Sequence, residues 1–219
     1  MVHILSAEQR RVDEQKDFFA PCRNLTSAKV WKVLHVNSLP ARELSECMLH
    51  DALPRRWSHV SAVAARAEQV AAAPGVDGDA LVAAAWLHDI GYAPSLALTG
   101  FHPLDGARYL ANQDVSPRVV SLVAYHSCAW LEAGERGLLD ELRSEFARED
   151  SPTADALCYC DMTTGPDGIH VNARDRLDEI RSRYGPDDVV TRFIDRAEPE
   201  ILAAVDRTER ALSTVGVVL

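Results

Sequence analysis

Lysine is confined to Lys16, Lys29 and Lys32, and beyond them every basic residue is arginine. Basic side chains number 23 against 33 acidic ones, a net charge of −10. That deficit of positive charge argues against a nonspecific nucleic-acid binder, whose phosphate contacts need a basic footprint. It leaves room for a small phosphorylated partner, because a bound metal reverses the sign of the local field. No run approaches the roughly 20 apolar residues that a bilayer crossing requires. The first residues also lack a basic segment followed by an apolar stretch, so neither a membrane anchor nor a secretory leader is expected. The five cysteines (Cys22, Cys47, Cys128, Cys158, Cys160) are odd in number and show no zinc-finger spacing. They read as reduced thiols of a cytoplasmic protein, with Cys158 and Cys160 as small core residues. Alternating strand patterns and internal repeats are missing as well.

What is present is helical. Hydrophobic residues make up 47% of the 219 and charged residues 26%, enough for one well-buried core. Val60, Val63, Ala64, Ala67 and Val70 repeat at the spacing of one helix face. That helix should stop before Pro74-Gly75. The next should start at Asp77 or Asp79, run apolar on every side from Leu81 to Leu87, and therefore be central and buried. Gly91 suits its C-terminal cap. Further helices should open at His102-Pro103 and Ser116-Pro117, the second carrying Val119, Leu122, Val123 and His126 on one face. Ala154, Leu157, Cys158 and Asp161 share a face of another. The segment Asp187–Leu212 is amphipathic, with a break expected at Pro199. The class is all-α.

Composition divides the chain near residue 47, because the periodic Ala/Val/Leu-rich text begins around Met48. Residues 1–47 are expected to form an N-terminal extension, with weak helical pattern at Asp13–Phe19 and Ser27–Leu34. Residues 48–170 should form a metal-binding domain. Residues 171–219 should supply C-terminal helices packing on the same domain.

The chemistry lies in where polar residues interrupt apolar text. His88 and Asp89 end a seven-residue apolar run, so folding carries them into the core. A buried carboxylate is costly without a partner, and no Lys or Arg lies between Arg66 and Arg108. A divalent metal would supply the missing charge and use both side chains as ligands. His59 lies one helix upstream, His126 sits on an apolar face, and Asp161 ends a small-residue face. His102 falls at a helix start, where the dipole favours the neutral, ligating imidazole. A second doublet, His50-Asp51, has no buried helix behind it and reads as a surface pair.

The order His59, His88-Asp89, Asp161 resembles the H…HD…D pattern of the HD superfamily, whose four residues hold a divalent metal on a helical bundle. His102 in FHPLDGARYL and His126 in VAYHSCAW resemble the version that binds two metals. The stretches WLHDIGY, HPLDGA and AYHS are similar to bacterial symmetric diadenosine tetraphosphatase-like HD hydrolases. The resemblance spans residues 55–165. It implies an HD-domain helical bundle with one metal held by His59, His88, Asp89 and Asp161. A second metal would be held by Asp89 as a bridge with His102 and His126. One or two ions are implied; Mn, Fe, Co, Ni and Mg all suit such ligands. The chain lacks the glycine-tyrosine-proline segment of the HD-GYP phosphodiesterases and the glutamate-aspartate pair of ppGpp hydrolases.

The resemblance implies a metal-dependent phosphohydrolase acting on a small phosphate ester or nucleotide through a metal-bound hydroxide. Asp89 would be its catalytic residue. An alternative with the same six ligands is an HD-type di-iron oxygenase cleaving a C–C or C–P bond. Another is a metal-stabilised regulatory module. Arg66, two helical turns past His59, and Arg108, on the His102 helix, are candidates to bind a substrate phosphate. Thr163 and Thr164 are candidates to orient Asp161.

Overall fold

Residues 38–113 and 115–217 are described in the computed structural model. The helical patterns at Asp13–Phe19 and Ser27–Leu34 lie outside them. The described chain is all-α; its nearest approach to a strand is an isolated bridge between Thr164 and His170. No described helix is long and apolar enough to cross a membrane.

Helix α1 spans Ser38–Leu49, α2 Pro54–Val70 and α3 Gly78–Leu87. The expected boundary at 47/48 falls inside α1, which buries Ala41, Leu44, Met48 and Leu49 and packs on α3. Proline in the first turn of α2 pre-sets the backbone where an N–H would have no helical partner. Asp77 caps α3 by accepting from the Ala80 N–H at 3.1 Å. All residues of α3 from Ala80 to Leu87 are buried, and its alanines let α1 and α2 come close. Burial on every side of α3 is what sends His88 and Asp89, immediately after it, into the interior.

A short 3-10 turn, Ile90–Tyr92, follows. The chain then enters α4 (His102–Ala111) and α5 (Pro117–Tyr125). Gly91 is not the cap of α3. A Cβ on it would meet the His102 carbonyl oxygen at 2.0 Å and the Gly106 nitrogen at 2.6 Å, so glycine serves there to let two backbones touch. Asp105, buried in the first turn of α4, accepts from the backbone N–H groups of Leu98 and Thr99 and ties down the preceding loop.

Helices α6 (Ala129–Arg136), α7 (Leu139–Glu145) and α8 (Pro152–Met162) complete the part that carries the metal-ligand candidates. Ser151 caps α8 through the Ala154 N–H. Helices α9 (Ala173–Tyr184) and α10 (Val189–Thr214) follow. Their Leu177, Ile180, Phe193, Ile194, Ala197 and Ile201 form one apolar cluster with Leu131, Cys158 and Met162. Pro199 does not break α10, which continues through it. The buried face on both sides of the proline, from Phe193 to Leu212, outweighs the roughly 3 kcal/mol such a residue costs in a helix. Cys128, Cys158 and Cys160 are free thiols, the last two buried.

Candidate metal centre

Five of the six sequence candidates are buried, and His102 is nearly so. They arrive from separate elements: His59 from α2, His88-Asp89 from the end of α3, His102 from the first turn of α4, and Asp161 from the last turn of α8. His126 does not sit on its helix as expected. Helix α5 stops at Tyr125, and His126 takes an extended conformation (φ −55°, ψ 149°). Ser127 and Cys128 follow at φ 47° and 62°, two successive non-glycine residues in the left-handed region. Such geometry costs about 1–2 kcal/mol per residue and is held by the surrounding packing. It turns the His126 ring inward.

Three imidazoles are fixed the same way. Nδ1 of His59 lies 3.0 Å from the Gly165 carbonyl oxygen, Nδ1 of His88 2.8 Å from that of Ala85, and Nδ1 of His126 2.6 Å from that of Val123. A carbonyl can only accept, so each Nδ1 carries a proton, and in the neutral imidazole each Nε2 keeps a lone pair free to ligate. The Nε2 of His59 is 3.1 Å from Asp161 Oδ1 and 3.8 Å from Asp89 Oδ2, while that of His88 is 3.3 Å from Asp89 Oδ2. The Nε2 of His102 is 3.2 Å from both Asp89 Oδ1 and the Nε2 of His126. The ligand atoms fall into two groups that could each hold an ion, His59-His88-Asp89 and Asp89-His102-His126. Asp161 adjoins the first through His59.

The residues present fit divalent metal. The Nε2 of His88 is fully buried and has no hydrogen-bond partner among the described residues. A stranded buried polar nitrogen costs about 1–3 kcal/mol, which a coordinated cation would offset. Without one, the charges distort each other. Burial disfavours the charged His88, yet the Asp89 carboxylate beside it dominates and pushes its pKa up to about 9. Burial, then His102 and His88, pushes His126 down to about 4. Burial also opposes ionisation of Asp89, but Arg56 and His88 hold it well below the usual carboxylate range. Asp161 is lowered likewise, chiefly by His59 and His88 against its burial.

Arg56 was not singled out from the sequence. Its Nη1 donates to Asp89 Oδ2 at 2.6 Å, and its guanidinium lies 4.1 Å from the centre of the Tyr92 ring. Tyr92 in turn stacks on His102 at 3.9 Å. A cation does therefore reach Asp89, from the start of α2 and three residues before His59. Its sequence signal was weak because it lies outside the lysine- and arginine-free interval around the doublet. Ser127 was also missed; its hydroxyl donates to Asp161 Oδ2. That is the role expected of Thr163 and Thr164, whose hydroxyls instead donate to the carbonyls of Tyr159 and Cys160.

A cleft of about 250 Å³ opens over the centre, with Asp89, His102, His126 and Asp161 in its wall. Neither arginine named from the sequence lines it. Arg108 is held by Glu141 and Glu145 on α7, and Arg66 lies over the Tyr159 ring at 5.9 Å. The arginines in the wall are Arg56, Arg136, Arg176 and Arg183. His50-Asp51 is an exposed pair, as expected. Asp167 and Gly168 form a turn that Arg55 clasps through the Asp167 carboxylate.

Compared with known families, residues 56–164 match the family model described as HD domain. Comparison with curated proteins and with solved structures finds no significant match.

Proposed function

With residues 56–164 taken as an HD domain, we propose that the chain is a metal-dependent phosphohydrolase acting on a small phosphate ester. One observation carries this reading. Asp89 divides its two oxygens between the two ligand groups, Oδ2 toward His88 and His59 and Oδ1 toward His102. A carboxylate so placed could be shared by two divalent ions, and such a pair is suited to displacement at phosphorus. When bound, the ions would supply charge to activate water and neutralise a phosphoryl oxygen.

The chain's own residues supply the rest. Backbone carbonyls hold three imidazoles in one tautomer, so the lone pairs are pre-aimed. Ser127 donates to one oxygen of Asp161, and the other lies 3.1 Å from the His59 Nε2, close enough for the two to share an ion. Arg56, anchored on Asp89 and seated over the Tyr92 ring, presents fixed positive charge at the cleft wall. The protein's net charge is −10, yet its cleft is lined by four arginines against three carboxylates, Asp89, Glu132 and Asp161, before any metal is added. That local reversal supports an anionic substrate.

The test is metal analysis of protein purified without added metal, followed by phosphate release from phenyl phosphate with Mn, Co, Ni, Mg or Fe. Hydrolysis that depends on metal and disappears in Asp89→Ala is expected. Two irons with oxygen consumption and no phosphate release would replace this reading by the oxygenase. Full metal loading with neither activity would leave a binding module.

A further inference from the structure

Part of the cleft wall comes from residues outside the matched segment. Arg176, Ile180 and Arg183 line it from α9, and Phe193 from α10. Arg176 is 5% exposed. One guanidinium nitrogen, Nη1, is held by Glu179, and among the described residues its buried Nε has no hydrogen-bond partner. A buried guanidinium normally satisfies its donors, because each stranded N–H costs stability. The stranded donor belongs to the edge that matches a carboxylate or phosphate bidentately. Ile180 and Phe193 add apolar surface to the same cleft.

We infer that Arg176 seats a second oxyanion of the substrate, so that the substrate is a compact phosphate ester carrying another carboxylate or phosphate across a short apolar stretch. This rests on the phosphohydrolase reading for the ester and on the cleft alone for the second anion. The volume supports a compact molecule. At about 250 Å³ the cleft falls below the roughly 300–1,000 Å³ of pockets that enclose drug-sized ligands. Glu179, half in solvent, shares the guanidinium without using up the edge that carries Nε.

The experiment is calorimetric titration of the metal-loaded full chain with phosphonates, which bind without being hydrolysed. The probes are alkylphosphonates and their ω-carboxy and ω-phosphono counterparts, stepped through matched chain lengths. A second oxyanion is expected to tighten binding by about tenfold at one length, and the better of the two end groups names the oxyanion. Arg176→Gln should erase that gain. Because a buried arginine variant can fail to fold, Glu179→Gln is the companion: by freeing the guanidinium it should enlarge the gain several-fold. Equal affinity of mono- and dianionic probes at every length, or a gain untouched in both variants, would overturn the inference. A preserved gain in a protein that hydrolyses no ester would sink the phosphohydrolase reading and leave the anion seat standing.

Discussion

Gly91 and His102 meet backbone to backbone: a β-carbon on the first would lie 2.0 Å from the carbonyl oxygen of the second. The turn that follows Asp89 is thereby keyed into the first turn of α4, and the two candidate ligands His102 and Asp89 are brought to 3.2 Å. Gly91→Ala must push α4 away. The expected result is selective loss of the Asp89-His102-His126 group, with metal content falling from two ions toward one while helical circular dichroism is retained. Unchanged stoichiometry and affinity would show that the close approach does not set the second group.

Asp89→Ala should abolish binding at both groups, since its two oxygens serve one each. His126→Ala should remove one ion and leave the other. Metal analysis of the two variants beside the parent chain checks the contrast. Equal losses in both would argue against a shared carboxylate.

Arg56 donates to Asp89 Oδ2 at 2.6 Å, the oxygen on the side of the first ligand group, and its charge would oppose a cation placed there. Arg56→Met should therefore tighten metal binding by about tenfold, the worth of one charge-assisted hydrogen bond. It should also lower turnover, because the cleft loses fixed positive charge. Titration with Mn and steady-state assay together read the split. A fall in both affinity and turnover would mean that Arg56 acts mainly by holding Asp89 in place.

Stability of the metal-free protein should peak near pH 6.5. His88, raised to about 9 against an unfolded value near 6.5, binds more protons folded than unfolded. Its contribution is complete below pH 6.5 and lost as pH rises through 9. His126, lowered to about 4, binds fewer protons folded. The chain therefore loses stability as pH falls from 6.5 to 4, and the depressed Asp89 and Asp161 continue that loss in stronger acid. Each histidine accounts for up to about 3 kcal/mol. Denaturant midpoints of chelator-treated protein across this range test the curve. Binding of metal should flatten the alkaline limb, since the metal displaces the His88 proton.

The helices were legible in the sequence where a face was strongly apolar or a proline marked a start. The six metal-ligand candidates were legible because polar residues in apolar text have few bland explanations. What escaped were contacts made across the fold. Arg56 reaches Asp89 from another helix, and Ser127 reaches Asp161 only because two residues adopt left-handed backbone that their side chains do not advertise. Gly91 read as a helix cap because spacing alone cannot distinguish a positive φ from a close approach. Pro199 read as a break because local propensity does not include the burial that overrides it. The cut at residue 47 followed composition, whereas Leu44 and Leu49 share one buried helix face.

The wall formed by α9 and α10 separates two kinds of information along the chain. The six metal-ligand candidates lie between His59 and Asp161, whereas Arg176, Ile180, Arg183 and Phe193 follow them. Substitutions along α9 and α10 would therefore recast the cleft's outline and charge while leaving every candidate ligand untouched.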